Sequence, residues 1–267
     1  MLEAALTFVQ CSDTHVVGRE ARVHGVDTAQ TLARVVDAVN ALAPAPAFVV
    51  VSGDLASPDL LPEAATGGPT DADYEAAYAA LRALLGRLAA PVHLLLGNHD
   101  RRGPFRRVVL GEAAPADARY CYVVDAGRYR LCALDSLDPG RSPGRLGAAQ
   151  LAWLRARLAE AADRHALIVV HHHPVPVGVP WLDAQRLTDA DALWEVVRAA
   201  GNVRAVLAGH VHLAHEEVRE GVRVLTTPST GFQIARTPER RIEPGPPAFR
   251  VIRCRDGHVD SQVVWLA

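Results

Sequence analysis

Five clusters of metal-binding side chains follow short apolar runs in this chain. They are Asp13-Thr14-His15, Gly53-Asp54, Gly97-Asn98-His99-Asp100, His171-His172-His173-Pro174 and Gly209-His210-Val211-His212. Carboxylate, carboxamide and imidazole groups all bind metals or move protons. One such cluster alone reads as a strand running into a turn, since Gly, Asn and Asp are common turn residues. Recurrence is what argues for a site. The pooled set is Asp13, His15, Asp54, Asn98, His99, one or two of His171 to His173, His210 and His212. A single zinc ion takes four ligands, so the set suits two ions, with one carboxylate as a bridge and open positions for water and substrate. Oxygen and imidazole donors without thiolate suit Fe, Mn, Zn or Co. Two ions about 3.5–4 Å apart serve phosphoryl chemistry, because they clamp phosphate oxygens and lower the pKa of bound water to roughly 7.

Strands must deliver these clusters and helices must space them. Residues 6–10, 47–51, 92–96, 167–170 and 203–207 are the apolar runs concerned. Asp13 and His15 are two residues apart, so an extended chain points both to one side. Asp27 and Gln30 form a helix-capping pair ahead of a stripe of Leu32, Val35, Val36, Val39 and Leu42. Thr70 starts a second helix with Tyr74, Tyr78, Leu81, Leu85 and Leu88 in its stripe. Further helices are expected over about 147–162 and between Thr188/Asp191 and Gly201, and a hairpin turns at Ala126-Gly127. Alternating strands and helices imply a largely parallel sheet, with its site beyond the carboxyl ends of the strands. The chain reads as one domain over 1–267, with an antiparallel β segment over about 223–267.

In order and spacing, DTH, GD, GNHD, HHHP and GHVH resemble the signature of the calcineurin-like metallophosphoesterases. The resemblance spans nearly the whole chain. More narrowly, HHHP followed by Trp181-Leu182-Asp183, and Thr227-Pro228-Ser229-Thr230 near the end, resemble bacterial class III cyclic-nucleotide phosphodiesterases. The family fold this implies is α/β, a four-layer α-β-β-α sandwich with two mixed sheets. The implied activity is hydrolysis of 3′,5′-cyclic nucleotides, cyclic AMP first, to 5′-monophosphates by a metal-held hydroxide. A broader phosphodiesterase or phosphomonoesterase, acting on glycerophosphodiesters or 2′,3′-cyclic nucleotides, is the alternative. A non-catalytic scaffold would be expected to lack ligands, and here every position is filled.

Carried over position by position, the resemblance gives one ion Asp13, His15, Asp54 and His212, and the other Asp54, Asn98, His172 and His210. His172 is chosen because the family ligand lies two residues before the proline, and because neighbours in extended chain point to opposite faces. His99 stands over the substrate phosphate as the catalytic group, and Asp100 is placed to orient it. Asn98, His99 and His212 meet the substrate. Fe and Mn are the first-choice metals, with Zn or Co as alternatives. Relatives often carry an acid soon after the GD pair; this chain reads Leu55-Ala56-Ser57-Pro58-Asp59, which leaves the role of Asp59 open.

The remaining features set bounds. Net charge is –2, with 49% hydrophobic residues. That excludes a global field for nucleic acid or anionic membrane. Arg101, Arg102, Arg106 and Arg107 read as a solvated helix face, with Arg102 as an alternative phosphate contact. Trp181 and Phe232 read as core or, on loops after ligand strands, as platforms for a base. Cys11, Cys121, Cys132 and Cys254 fit neither a zinc knuckle nor a disulfide framework. The first residues lack a basic and apolar leader pattern. The expected setting is cytoplasmic and the partner a small phosphodiester, with no nucleic acid and no membrane. A homodimer is kept open.

Overall fold

In the computed structural model the apolar runs pair into two mixed sheets. Residues 5–62, 67–112 and 118–267 are described. The first four residues, read above for a leader, lie outside them, as do 63–66 of the Pro/Gly-rich loop. The first sheet has the order β13-β12-β1-β2-β3. Its parallel part is β1 (Leu6–Cys11), β2 (Val49–Ser52) and β3 (Val92–Leu95), and the hairpin of β12 (Ala248–Arg255) and β13 (His258–Trp265) adds antiparallel to β1. In the second sheet, β5 (Tyr129–Leu134), β6 (His165–Val170), β7 (Val203–Ala208) and β9 (Val222–Thr226) run parallel. β4 (Tyr122–Ala126) and β8 (His215–Arg219) close its edges antiparallel. β10 (Gln233–Ile234) and β11 (Ile242–Glu243) form a separate two-stranded ribbon.

Local chemistry sets the helix starts. The Asp27 carboxylate accepts from the Gln30 N–H at 2.9 Å and caps α1 (Thr28–Asn40). Thr70 and Asp73 exchange both bonds of a capping box at the head of α2 (Asp71–Leu85). Caps of this kind contribute about 1 kcal/mol each. Short α3 (Arg102–Phe105) runs into one π turn. α4 (Gly147–Ala159), the single turn α5 (Pro180–Asp183) and α6 (Ala190–Ala200) complete the set.

Three apolar layers hold these elements. Leu32, Val36, Tyr78 and Leu81 pack α1 and α2 on the outer face of the first sheet. Leu154, Leu193 and Trp194 do the same for α4 and α6 on the second. Phe8, Val50, Leu95, Leu167, Val169 and Leu207 fill the space between the sheets. The molecule is thus a four-layer α-β-β-α sandwich. Within each sheet the parallel strands that precede the five clusters share one direction, so their carboxyl ends meet at one edge. Among the described residues no helix is long and apolar enough to cross a membrane.

Two sequence readings change. The strand near Arg223 is not simply antiparallel: β9 lies between β7 and β8 and is parallel to the former. The arginines after Asp100 are not a uniform solvated face. Arg102 and Arg106 are buried. Arg102 makes a two-pronged pair with Asp135 at 2.7 and 2.8 Å and donates to the Leu137 carbonyl at 2.6 Å. Its Nε and Nη2 donors are spent on structure.

Candidate metal centre

The strands stop before the donors begin. β1 ends at Cys11, β2 at Ser52, β6 at Val170 and β7 at Ala208. Asp13, His15, Asp54, His210 and His212 then all adopt left-handed backbone, with φ between 46 and 70°. That region costs an L residue about 1–2 kcal/mol. Five such residues at one edge mark a built site, since strain of this sort collects at functional positions. Gly97 gives the room: a Cβ there would run into the Asp54 carboxylate and come within 2.7 Å of His171 Nε2. At Gly209 it would strike Ser12 Oγ.

The donors form overlapping groups whose ligand atoms lie within 4.8 Å of one another: Asp13, His15 and His212; Asp13, Asp54 and His171; His171, His172 and His210. Asp54 Oδ2 is 3.3 Å from His171 Nε2 and 4.0 Å from His15 Nε2, so it sits between two imidazoles. His212 Nε2 is 3.3 Å from Asp13 Oδ1 and 3.1 Å from His15 Nε2. Asn98 Oδ1 is 3.2 Å from His171 Nε2.

The far sides of the rings decide which nitrogen is free. His212 Nδ1 donates to the Phe232 carbonyl at 2.7 Å, and His171 Nδ1 to the Ser52 carbonyl at 2.8 Å. His15 Nδ1 is held by Ser57 Oγ at 2.7 Å. Such partners fix a metal-ligating tautomer and leave the Nε2 lone pair facing inward. His210 Nε2 is buried with no hydrogen-bond partner among the described residues. Buried lone pairs that converge on one another and on carboxylates need a cation between them. Burial opposes charge on Asp13 and Asp54, but the facing imidazoles outweigh it and hold both carboxyls low. Burial drives His15 and His210 well below the ordinary imidazole value, toward the neutral, ligating form. His171 goes the other way. Burial opposes its charge, yet Asp54 and Asp13 hold it up to about 9, so this position calls for positive charge. The residues fit two metal ions.

His172 lies in one group with His171 and His210, as expected, but its ring nitrogens are engaged elsewhere. Its Nε2 donates to the Ser142 carbonyl at 2.9 Å and its Nδ1 accepts from Ser136 Oγ at 2.7 Å. Both ring nitrogens of His172 are taken, whereas His171 Nε2 faces Asp54 and Asn98. Strand alternation cannot choose between them because β6 has already ended. His171→Ala is therefore expected to lower metal content by about one ion per chain. His172→Ala should keep two ions and lose at most the roughly 10–100-fold of a supporting contact. Elemental analysis of both variants after metal loading checks this, and the reverse pattern would restore His172.

Asp100 does not orient His99 either. Its carboxylate accepts from the N–H groups of Leu55 at 3.0 Å, Ala56 at 3.1 Å and Gly97 at 2.8 Å, and from the Tyr78 hydroxyl at 2.9 Å. It braces two ligand loops against each other. The partner of His99 is Asp59, with Nδ1 to Oδ2 at 2.6 Å. Burial opposes charge on His99, but Asp54 and Asp59 prevail and hold its pKa up to about 9. Its backbone N–H donates to Asp54 Oδ1 at 2.9 Å. Phe232 is buried and stacked on His15, ring centres 4.8 Å apart, so it supports a donor at the wall of the cavity in front of the site. Trp181 lines the cavity of about 280 Å³ in front of the donors, with Arg240 over its ring.

Residues 6–214 match the family described as calcineurin-like phosphoesterase. A 3′,5′-cyclic adenosine monophosphate phosphodiesterase, CpdA, of Pseudomonas aeruginosa is 33% identical over 257 residues, 96% of this chain and 85% of that protein. A cAMP/cGMP dual specificity phosphodiesterase of Mycobacterium tuberculosis is 34% identical over 83% of this chain and 66% of its own length. Among solved structures, a dimetal phosphatase from Danio rerio superposes with a TM-score of 0.69 at 16% identity, covering 98% of this chain and 99% of that one. At that identity the likeness concerns the fold.

Proposed function

The chain belongs to the calcineurin-like phosphoesterase family, a metal-dependent group of hydrolases, and from that membership we propose that it is a dinuclear-metal phosphodiesterase of 3′,5′-cyclic nucleotides, cyclic AMP first. One observation supports the dinuclear part: the Asp54 carboxylate lies between His15 and His171, amid overlapping donor groups that together exceed the needs of one ion. In this reading Asp13, His15, Asp54 and His212 would hold one ion, and Asp54, Asn98, His171 and His210 would hold the other. Bound ions supply acidified water and charge neutralisation at the phosphate.

The chain's own side chains do the rest. Asn98, His99 and His212 line the cavity in front of the donors and position the phosphate there. His99 carries its proton on the ring face away from Asp59 and delivers it to the departing ribose oxygen. Asp59 holds the ring in that orientation and favours its charged form. The 5′ ester bond stays intact, so the product is the 5′-monophosphate.

The substrate class rests on the bacterial cyclic AMP phosphodiesterase that covers nearly all of this chain. Four free thiols suit a reducing, cytoplasmic setting. A substrate panel tests the reading after loading with Mn, Fe, Zn or Co: 3′,5′- and 2′,3′-cyclic nucleotides, glycerophosphodiesters and monoesters. The expected result is a kcat/KM highest for a 3′,5′-cyclic nucleotide. A clear preference for glycerophosphodiesters, 2′,3′-cyclic nucleotides or monoesters would replace it with the broader esterase.

A further inference from the structure

The site opens into two cavities that meet at Asn98 and His99. The smaller holds the donors. The larger, about 570 Å³, begins at His99 and Asp59 and is lined further out by Tyr74, Arg101, Leu137 and Pro139. The Arg101 guanidinium lies over the Tyr74 ring, 4.4 Å from its centre, and donates to Asp71 at 3.2 Å. Tyr74 itself is buried, whereas the Arg101 side chain is 40% exposed. The stacking surface offered to a ligand is therefore the arginine.

Resting on the cyclic-nucleotide reading above, we propose that the larger cavity is the nucleoside pocket and that Arg101, backed by Tyr74, is the platform on which the base stacks. The direction follows from the chemistry. In-line displacement puts the leaving oxygen opposite the attacking one. Water attacks from the donor side, so the ribose departs on the side of His99. The base extends from that ribose, away from the donors and into the larger cavity. Its volume falls in the range of small-molecule pockets, about 300–1,000 Å³.

A planar guanidinium stacks on aromatic faces on either side. Protein–nucleobase contacts use such planes as readily as aromatic rings. The contacts to Tyr74 and Asp71 fix the group before binding, which limits the ordering cost. Trp181 is the competing platform. It lines the smaller cavity, with the donors rather than beyond His99.

The test is steady-state kinetics of the metal-loaded wild type, Arg101→Ala and Arg101→Lys. Two substrates are compared: cyclic AMP and the base-free 3′,5′-cyclic phosphate of 1-deoxyribose. Arg101→Ala is expected to raise KM for cyclic AMP on the order of tenfold, the scale of one stacked base. Its kcat should stay within about twofold, and the base-free substrate should be unaffected. Arg101→Lys should behave like Arg101→Ala, because an ammonium keeps the charge but not the plane.

Equal losses on both substrates, rescue by lysine, or no change in Arg101→Ala would overturn the platform. So would a base-dependent loss found in Trp181→Ala instead. A wild type that hydrolyses other diesters but not cyclic AMP overturns the parent reading, and this one with it. A wild type active on cyclic AMP with an indifferent Arg101→Ala overturns only this one.

Discussion

Asp54→Ala is expected to lose both metal ions together and to abolish turnover. Asp54 faces a histidine of each proposed site, with Oδ2 at 3.3 Å from His171 Nε2 and 4.0 Å from His15 Nε2. Its other oxygen accepts from the His99 N–H at 2.9 Å, so the same substitution also loosens the loop that carries Asn98 and His99. The loss should exceed the roughly 10–100-fold seen when only a supporting partner of a ligand is removed. His15→Ala should weaken mainly one ion. Asp54→Asn separates chemistry from folding, because a carboxamide oxygen can still accept from His99 N–H while the negative charge is gone. Metal content per chain, measured after equal loading, decides the matter. A variant at position 54 that retains one tightly held ion would show that the two sites do not share this carboxylate. So would a fully loaded wild type with a single ion.

The second large effect concerns His99. It lies over the donors without being one of them, and Asp59 holds its far nitrogen at 2.6 Å. His99→Ala should keep its metals and lose about 10²–10⁴-fold on cyclic AMP, the usual worth of a positioned acid. The loss should be much smaller on a nitrophenyl diester, whose leaving group needs no proton. Asp59→Asn should give a weaker copy of the same leaving-group dependence. The double variant should be no worse than His99→Ala alone, because residues acting as one unit are not additive. Equal losses on the two substrates would leave His99 as a charge stabiliser only. Loss of metal from His99→Ala would make it a ligand after all.

The sequence carried the scaffold and the gathering of the clusters. Apolar runs, the caps at Asp27 and Thr70, and the turn at Ala126-Gly127 rest on local chemistry, which is written in neighbouring residues. The details inside the site do not have that property. Period-two alternation lets only one of His171 and His172 face the site, and the place before Pro174 points to His172, but several donors sit in left-handed turns after the strands have ended. Which histidine keeps a free nitrogen depends on Ser52, Ser136 and Ser142, distant in sequence and unremarkable by type. Asp59 is 40 residues from His99 and stands later after the GD pair than the usual acid, so only the fold joins them. Arg102 looked like a surface charge because its partner, Asp135, is 33 residues away.

Asp13, Asp54 and Asn98 follow strands of one sheet, whereas His171, His210 and His212 follow strands of the other. The two sheets are separate ladders pressed together by side chains such as Phe8, Val50, Leu167 and Leu207. In the dinuclear reading, ions held across that seam would act as a rivet through the sandwich, and their affinity would gauge how the sheets are seated. Metal–ligand distances tolerate about 0.2 Å, less than a repacked core commonly shifts. Conservative changes in the inter-sheet core, remote from any substrate, will therefore register as weakened metal retention before they register as unfolding.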